Sequence, residues 1–215
     1  MGCGHGAGWR GGRATGLFWP TRTDIAGTQV FFDGLAAPLL YASTNQINAV
    51  VPYELAVNSD THVRVQYQGN QSAVITLPVL ATHPGIFAVD SSGTGQGAIL
   101  NEDGSYNSAT QPAPRGSVIV LFGTGAGQTD PPGQDGKLNE APLPTPAQPV
   151  YVYIYGKKAE ILYAGAAPGF VAGALQVNAR VPQDIPAGSA LPVWLLVGDL
   201  LVGGMLQEGV TIAIR

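Results

Sequence analysis

The chain is short of charge. Of its 215 residues only 24 are charged, 10 Lys or Arg and 14 Asp or Glu, which is 11%. An average domain carries about 25%. The bases form no run and the net charge is −4, so the clustered cationic footprint that nucleic-acid binding requires is missing. The single cysteine, Cys3, excludes an internal disulfide and a cysteine-built metal cage. No apolar stretch reaches the roughly 18 residues that span a bilayer. His5, His62 and His83 are the only histidines, and neither a G-x-S-x-G elbow nor an H-E-x-x-H pair occurs. What the chain does have is 45% hydrophobic residues, 30 Gly and 17 Pro. Val, Ile, Leu and aromatics recur after residue 16, so the body is not a disordered polymer.

Residues 1–16, MGCGHGAGWRGGRATG, contain seven glycines and no apolar periodicity. They read as a disordered or non-native head and hold no apolar run of a secretory signal. Cys3 and His5 are too few, on such a tail, to make a metal site.

The body reads as all-β. Val63, Val65 and Tyr67 alternate with His62, Arg64 and Gln66, and Val150, Val152 and Ile154 alternate with Tyr151, Tyr153 and Tyr155. Period-2 alternation marks strands with one buried face. Ser117–Phe122 is a continuous apolar run ended by Gly123, the pattern of a central strand. Glu102-Asp103-Gly104 between Gly97–Leu100 and Ser105-Tyr106 predicts a hairpin. No ten-residue window keeps helical spacing without Gly or Pro.

An internal repeat organises these strands. Gln46-Ile-Asn-Ala-Val-Val-Pro52 returns as Gln176-Val-Asn-Ala-Arg-Val-Pro182, 130 residues later. Leu40-Tyr41-Ala42 matches Leu162-Tyr163-Ala164 at an offset of 122, and Gly34 matches Gly156 likewise. The difference falls at Pro168–Gly173, a loop insertion in the second copy. Two copies at this spacing imply two similar domains. The predicted division is a head at 1–16, a first domain at 17–83, a connecting hairpin segment at 84–114 and a second domain at 115–215. The second copy opens with Ser117–Phe122, about 32 residues before Val150; the same distance before Val30 falls close to or before Met1. The first copy is therefore expected to lack its first strand. That leaves an exposed strand edge, which invites strand exchange or a homodimer.

Val30–Ala42, Gln46–Pro52, His83–Phe87, Gly95–Asn101, Gly104–Asn107 and Arg115–Val120 together resemble an uncharacterised family of C-terminal domains from large secreted acidobacterial (Solibacter-type) proteins. The resemblance spans about residues 24–215 and departs at 1–16. It implies tandem immunoglobulin-like β-sandwiches related to the IPT/TIG type, in a secreted or cell-surface protein; the expected partner is a protein or polysaccharide at the cell surface. It supplies no catalytic residues.

The remaining motifs are chemically modest. Gly123-Thr-Gly-Ala-Gly127 follows a strand, but Gln128 and Thr-Asp-Pro-Pro follow it in place of a helix, so it cannot cradle phosphate. A triad would have to use His62 or His83, which read as surface or capping residues. The better catalytic candidates are Asp130 and Asp135 in one loop, and Glu102 and Asp103 at one hairpin tip. Paired carboxylates serve a glycosidase or esterase, or hold calcium through oxygen, but Asp beside Gly or Pro is also ordinary turn chemistry. Tyr151, Tyr153 and Tyr155, with Trp194 on a neighbouring strand, form an expected aromatic face that suits sugar stacking or a protein interface. The leading expectation is a non-catalytic interaction or attachment module with no cofactor other than an optional calcium ion. The alternatives are a carboxylate hydrolase with its site at the domain junction and a carbohydrate-binding module.

Overall fold

The computed structural model describes residues 22–55, 57, 59–198 and 207–215. Cys3 and His5 lie outside them. Among the described residues there is no helix, and nineteen strands form five sheets. The all-β expectation holds.

The first-copy strands are β1 (Thr28–Phe32), β2 (Leu35–Ala36), β3 (Leu39–Ala42), β4 (Ile47–Ala49), β5 (Ser59–Tyr67), β6 (Asn70–Gln71) and β7 (Ile75–Val79). One sheet runs β2-β1-β5-β6 with β7 also on β5, and β3 and β4 make a second sheet. Val30 and Phe32, alternate residues of β1, join Ala37, Leu39 and Leu55 in a small core.

The segment predicted to connect the copies contributes β8 (Gly85–Ile86), β9 (Gly95–Gln96) and β10 (Ile99–Leu100). Beyond them come β11 (Val118–Thr124), β12 (Thr129–Asp130), β13 (Thr145–Pro146), β14 (Val150–Ile154) and β15 (Lys157–Lys158). The last four are β16 (Glu160–Ala166), β17 (Leu175–Arg180), β18 (Gly188–Val197) and β19 (Val210–Ile214). One sheet is β10-β11-β17-β16 with β8 on β11; another is β15-β14-β18-β19-β9. The strands of 84–114 are thus built into the second copy's sheets. Inward residues of both sheets meet in one core: Ile119, Leu121, Val177 and Ala179 from the first, Val152, Ile154, Val193 and Ile212 from the second, each at most 1% exposed. β-Branched residues suit such faces, because their stiff side chains pack on a pleated surface. The arrangement is sandwich-like.

The repeat survives as pairing geometry. Phe32 lies opposite Leu35 and Val63, and Ile154 opposite Lys157 and Val193. Both hairpin turns, Asp33-Gly34 and Tyr155-Gly156, have positive φ at both residues, as a two-residue turn matched to strand twist requires. Even an irregularity recurs. The β3–β4 register shifts between Leu39 and Tyr41, and the β16–β17 register between Ile161 and Tyr163. A bulge kept at the same place in both copies is a feature of the sequence pattern rather than an accident.

One strand has no counterpart among the described residues. β11 pairs with β17 along six residues, placing Leu121 opposite Val177 and Ile119 opposite Ala179. Among the described residues β4, the equivalent of β17, pairs only with β3. Ile47 and Ala49 are half-buried, whereas Val177 and Ala179 are buried.

Candidate functional site

Between the copies lies a cleft of about 1850 Å³. Its first-copy wall carries Val50–Tyr53 and Leu77–Thr82; the opposite wall carries Thr124–Thr129, Pro131–Gln134 and Phe170–Leu175. The inserted loop in the second copy is held there by Asn139, whose side-chain amide donates to the carbonyls of Ala167 and Val171. Phe170 stacks on Phe122 with ring centroids 5.5 Å apart.

The Gly123–Gly127 loop has a packing role. Gly125 and Gly127 have φ of 77° and 73°, and a side chain at either would run into the backbone oxygen of His83 or Ala81. His83 donates its backbone N–H to the Gly125 carbonyl at 2.9 Å. These glycines let the strand that leaves the first copy lie directly against the start of the second.

The carboxylates go to different places. Asp103 is at the tip of the predicted hairpin, where its Oδ1 accepts from the Ser105 hydroxyl at 2.6 Å and the Ser105 N–H at 2.9 Å. Those bonds hold its pKa below the ordinary aspartate value. Glu102, beside it, is exposed. Both belong to turn chemistry. Asp130 is exposed on β12, opposite Thr145. Asp135 makes the distinctive contact. Its Oδ1 accepts the Tyr53 backbone N–H at 3.1 Å, across 82 residues of sequence, and Gln128 donates to the Tyr53 carbonyl at 2.8 Å. Tyr53 rests on Gly133, where any side chain would meet its ring.

Burial raises the Asp135 pKa, the Tyr53 N–H opposes this, and the neighbouring Glu54 carboxyl raises it further. Burial also raises the Tyr53 phenol, followed by the Asp135 charge. The carboxyl neighbour of Asp135 is therefore Glu54, which the motif search missed. A signal existed: the repeat puts Tyr53-Glu54 where the second copy has Gln183-Asp184. Asp184 takes Lys157 at 2.6 Å instead. None of Glu102, Asp103, Asp130 and Asp135 lines the cleft; Glu140 and Lys137 do.

His62 is exposed, with Nδ1 3.0 Å from Asp33 Oδ1 and its own backbone N–H donated to that oxygen at 2.9 Å. His83 is exposed at the junction. Among the described residues no group of three His, Cys, Asp or Glu converges as metal ligands would.

The aromatic face is only partly as expected. Tyr151 and Tyr153 alternate with the buried Val152 and Ile154, and Tyr153 lies opposite Trp194. Lys158 sits 4.4 Å over the Tyr151 ring, a cation–π contact. Tyr155 has left the strand: it is in the turn, with φ of 49° and half its surface exposed. Two rings and the indole make the face.

Compared with models of known families, with curated proteins and with solved structures, the chain matches none.

Proposed function

We propose that the chain is a pair of immunoglobulin-like sandwiches in tandem, serving as a non-catalytic interaction or attachment module of a larger exported protein. The observation that carries this reading is the register-for-register recurrence of β1–β5 in β14–β18, bulge included. A duplicated scaffold built from turns and short strands is the usual frame for adhesion and recognition. The carboxylates agree with it. Asp103 is spent on its own turn, and Asp135 on fastening the Tyr53 backbone across the junction. The family resemblance supplies the exported setting. Fold alone does not exclude chemistry, so the test is enzymatic. A panel of chromogenic glycosides and esters, assayed between pH 4 and 8, should show no turnover above buffer. Turnover that Asp135→Asn or Glu54→Gln abolishes, with the fold intact by circular dichroism, would replace this reading by a hydrolase at the junction.

A further inference from the structure

Two contacts of different kinds hold the first copy against the second. One lies where the chain crosses from copy to copy. There the His83 N–H donates to the Gly125 carbonyl at 2.9 Å, and the Thr82 hydroxyl donates to the Val197 carbonyl at 2.8 Å. No ionisable atom takes part in these bonds, and the covalent chain keeps both sides together at any pH. The other contact grips the Tyr53 backbone. Gln128 donates to its carbonyl at 2.8 Å, the Asp135 carboxyl accepts its N–H at 3.1 Å, and its ring rests on Gly133. Of these groups only Asp135 can change the charge of the grip, and Glu54, the next residue of the first copy, is a second acid beside it. The two core clusters share no residue, and units with separate cores move relative to each other by default.

We infer that the copies form a pH-dependent hinge: they turn about the crossing at Thr82-His83, and the Tyr53–Asp135 contact is a latch that protonation of Asp135 tightens and its ionisation loosens. The sign follows from the charges. Ionised Asp135 is partly withdrawn from water and stands next to the Glu54 carboxyl, and undocking relieves both costs. The protonated acid escapes them and still offers its carbonyl oxygen to the Tyr53 N–H. Burial and Glu54 accordingly raise the Asp135 pKa against the opposing Tyr53 N–H. A group whose docked pKa lies above its free value favours docking below the free value, and that contribution is lost as pH rises through the docked one. The Tyr53 phenol is pushed up by burial and by the Asp135 charge, so it stays neutral throughout. Lys137 and Glu140 lie on the cleft wall of the second copy, but neither is among the groups that shift Asp135. Asp130 is exposed on β12, and His83 is exposed at the crossing.

The test measures the distance between the copies in the full chain. Spin labels go on two exposed hairpin tips through Asn70→Cys and Glu102→Cys, with Cys3→Ser removing the native thiol. Double electron–electron resonance should give a compact distance at pH 4. At pH 8 a longer-distance population should grow by about fivefold or more, the lower end of ordinary coupling between sites. Asp135→Asn, which keeps an acceptor for Tyr53 and cannot ionise, should hold the compact distance at both pH values. Glu54→Gln should shrink the response, and His83→Gln should leave it intact. Gln128→Ala should widen the distribution at both pH values, because it weakens the half of the grip that does not titrate. Identical distributions at pH 4 and pH 8 in the parent would overturn the inference, and so would lengthening at pH 4. A full response in Asp135→Asn, its loss in His83→Gln, or no widening in Gln128→Ala would overturn it equally. Circular dichroism checks the fold of each variant. Should Asp135→Asn fail to fold, Glu54→Gln decides, and an undiminished response there would sink the latch.

Discussion

Asp135 shows how a single residue can look catalytic while serving structure. Burial and Glu54 raise its pKa, the kind of shift that marks active sites, though structural contacts produce it as well. The consequence for stability has a definite sign. Between the ordinary aspartate value of 3.8 and the raised folded value, the folded chain holds a proton that the unfolded chain has released. Stability from this group therefore falls as pH rises through that window. Asn at 135 keeps an oxygen for the Tyr53 N–H but has nothing to ionise. Denaturant unfolding of Asp135→Asn against the wild type should show the variant gaining relative stability across the window, with the difference level above it. A difference independent of pH would mean that the Asp135 pKa is not raised in the folded chain. Asp103, Asp90 and Asp184, all held low by hydrogen bonds, lose their contributions as pH falls, so they leave this comparison clear.

At the scale of elements, turns and the junction loop make different demands on glycine. Gly156 needs only its positive φ, since nothing lies within 4 Å of a side chain there. Gly125 needs φ of 77° and also the room that the His83 carbonyl occupies. Gly156→Ala should cost about 1–2 kcal/mol. Gly125→Ala should cost about 1–3 kcal/mol more, because the backbone around His83 must move as well. Chemical denaturation of the two variants measures the gap, and equal costs would contradict the close approach. Most elements were legible before any coordinates. Period-2 alternation located β5 and β14, the apolar run located β11, and the Glu102-Asp103-Gly104 signal located the hairpin. These are local properties of the chain. Tyr155 was misplaced on the aromatic face because alternation counts residues and cannot see the turn that ends a strand. The Tyr53–Glu54–Asp135 contact was hidden for a different reason: it forms only when a loop of one copy docks on a loop of the other. The sequence offered only the mismatch of Tyr53-Glu54 with Gln183-Asp184.

The whole molecule is lopsided. Among the described residues twenty-one buried apolar side chains form the second core and five form the first. Apolar burial is the main favourable term in folding, at about 25 cal/mol per Å², so the first copy is the weaker partner. It leans on the junction contacts of Tyr53, Gln128 and Gly125, and among the described residues Leu77 is exposed and the outer edge of β4 is unpaired. The chain also contains its own control. β4 and β17 carry nearly the same residues, Ile-Asn-Ala against Val-Asn-Ala, so their intrinsic exchange rates are close, yet among the described residues only β17 has strands on both edges. Site-resolved amide hydrogen exchange on the full chain therefore tests the account most directly. It predicts that all three amides of Val177–Ala179 are strongly protected, while those of Ile47–Ala49 that point away from β3 exchange rapidly. Equal protection of the two segments would contradict the unpaired outer edge that β4 has among the described residues.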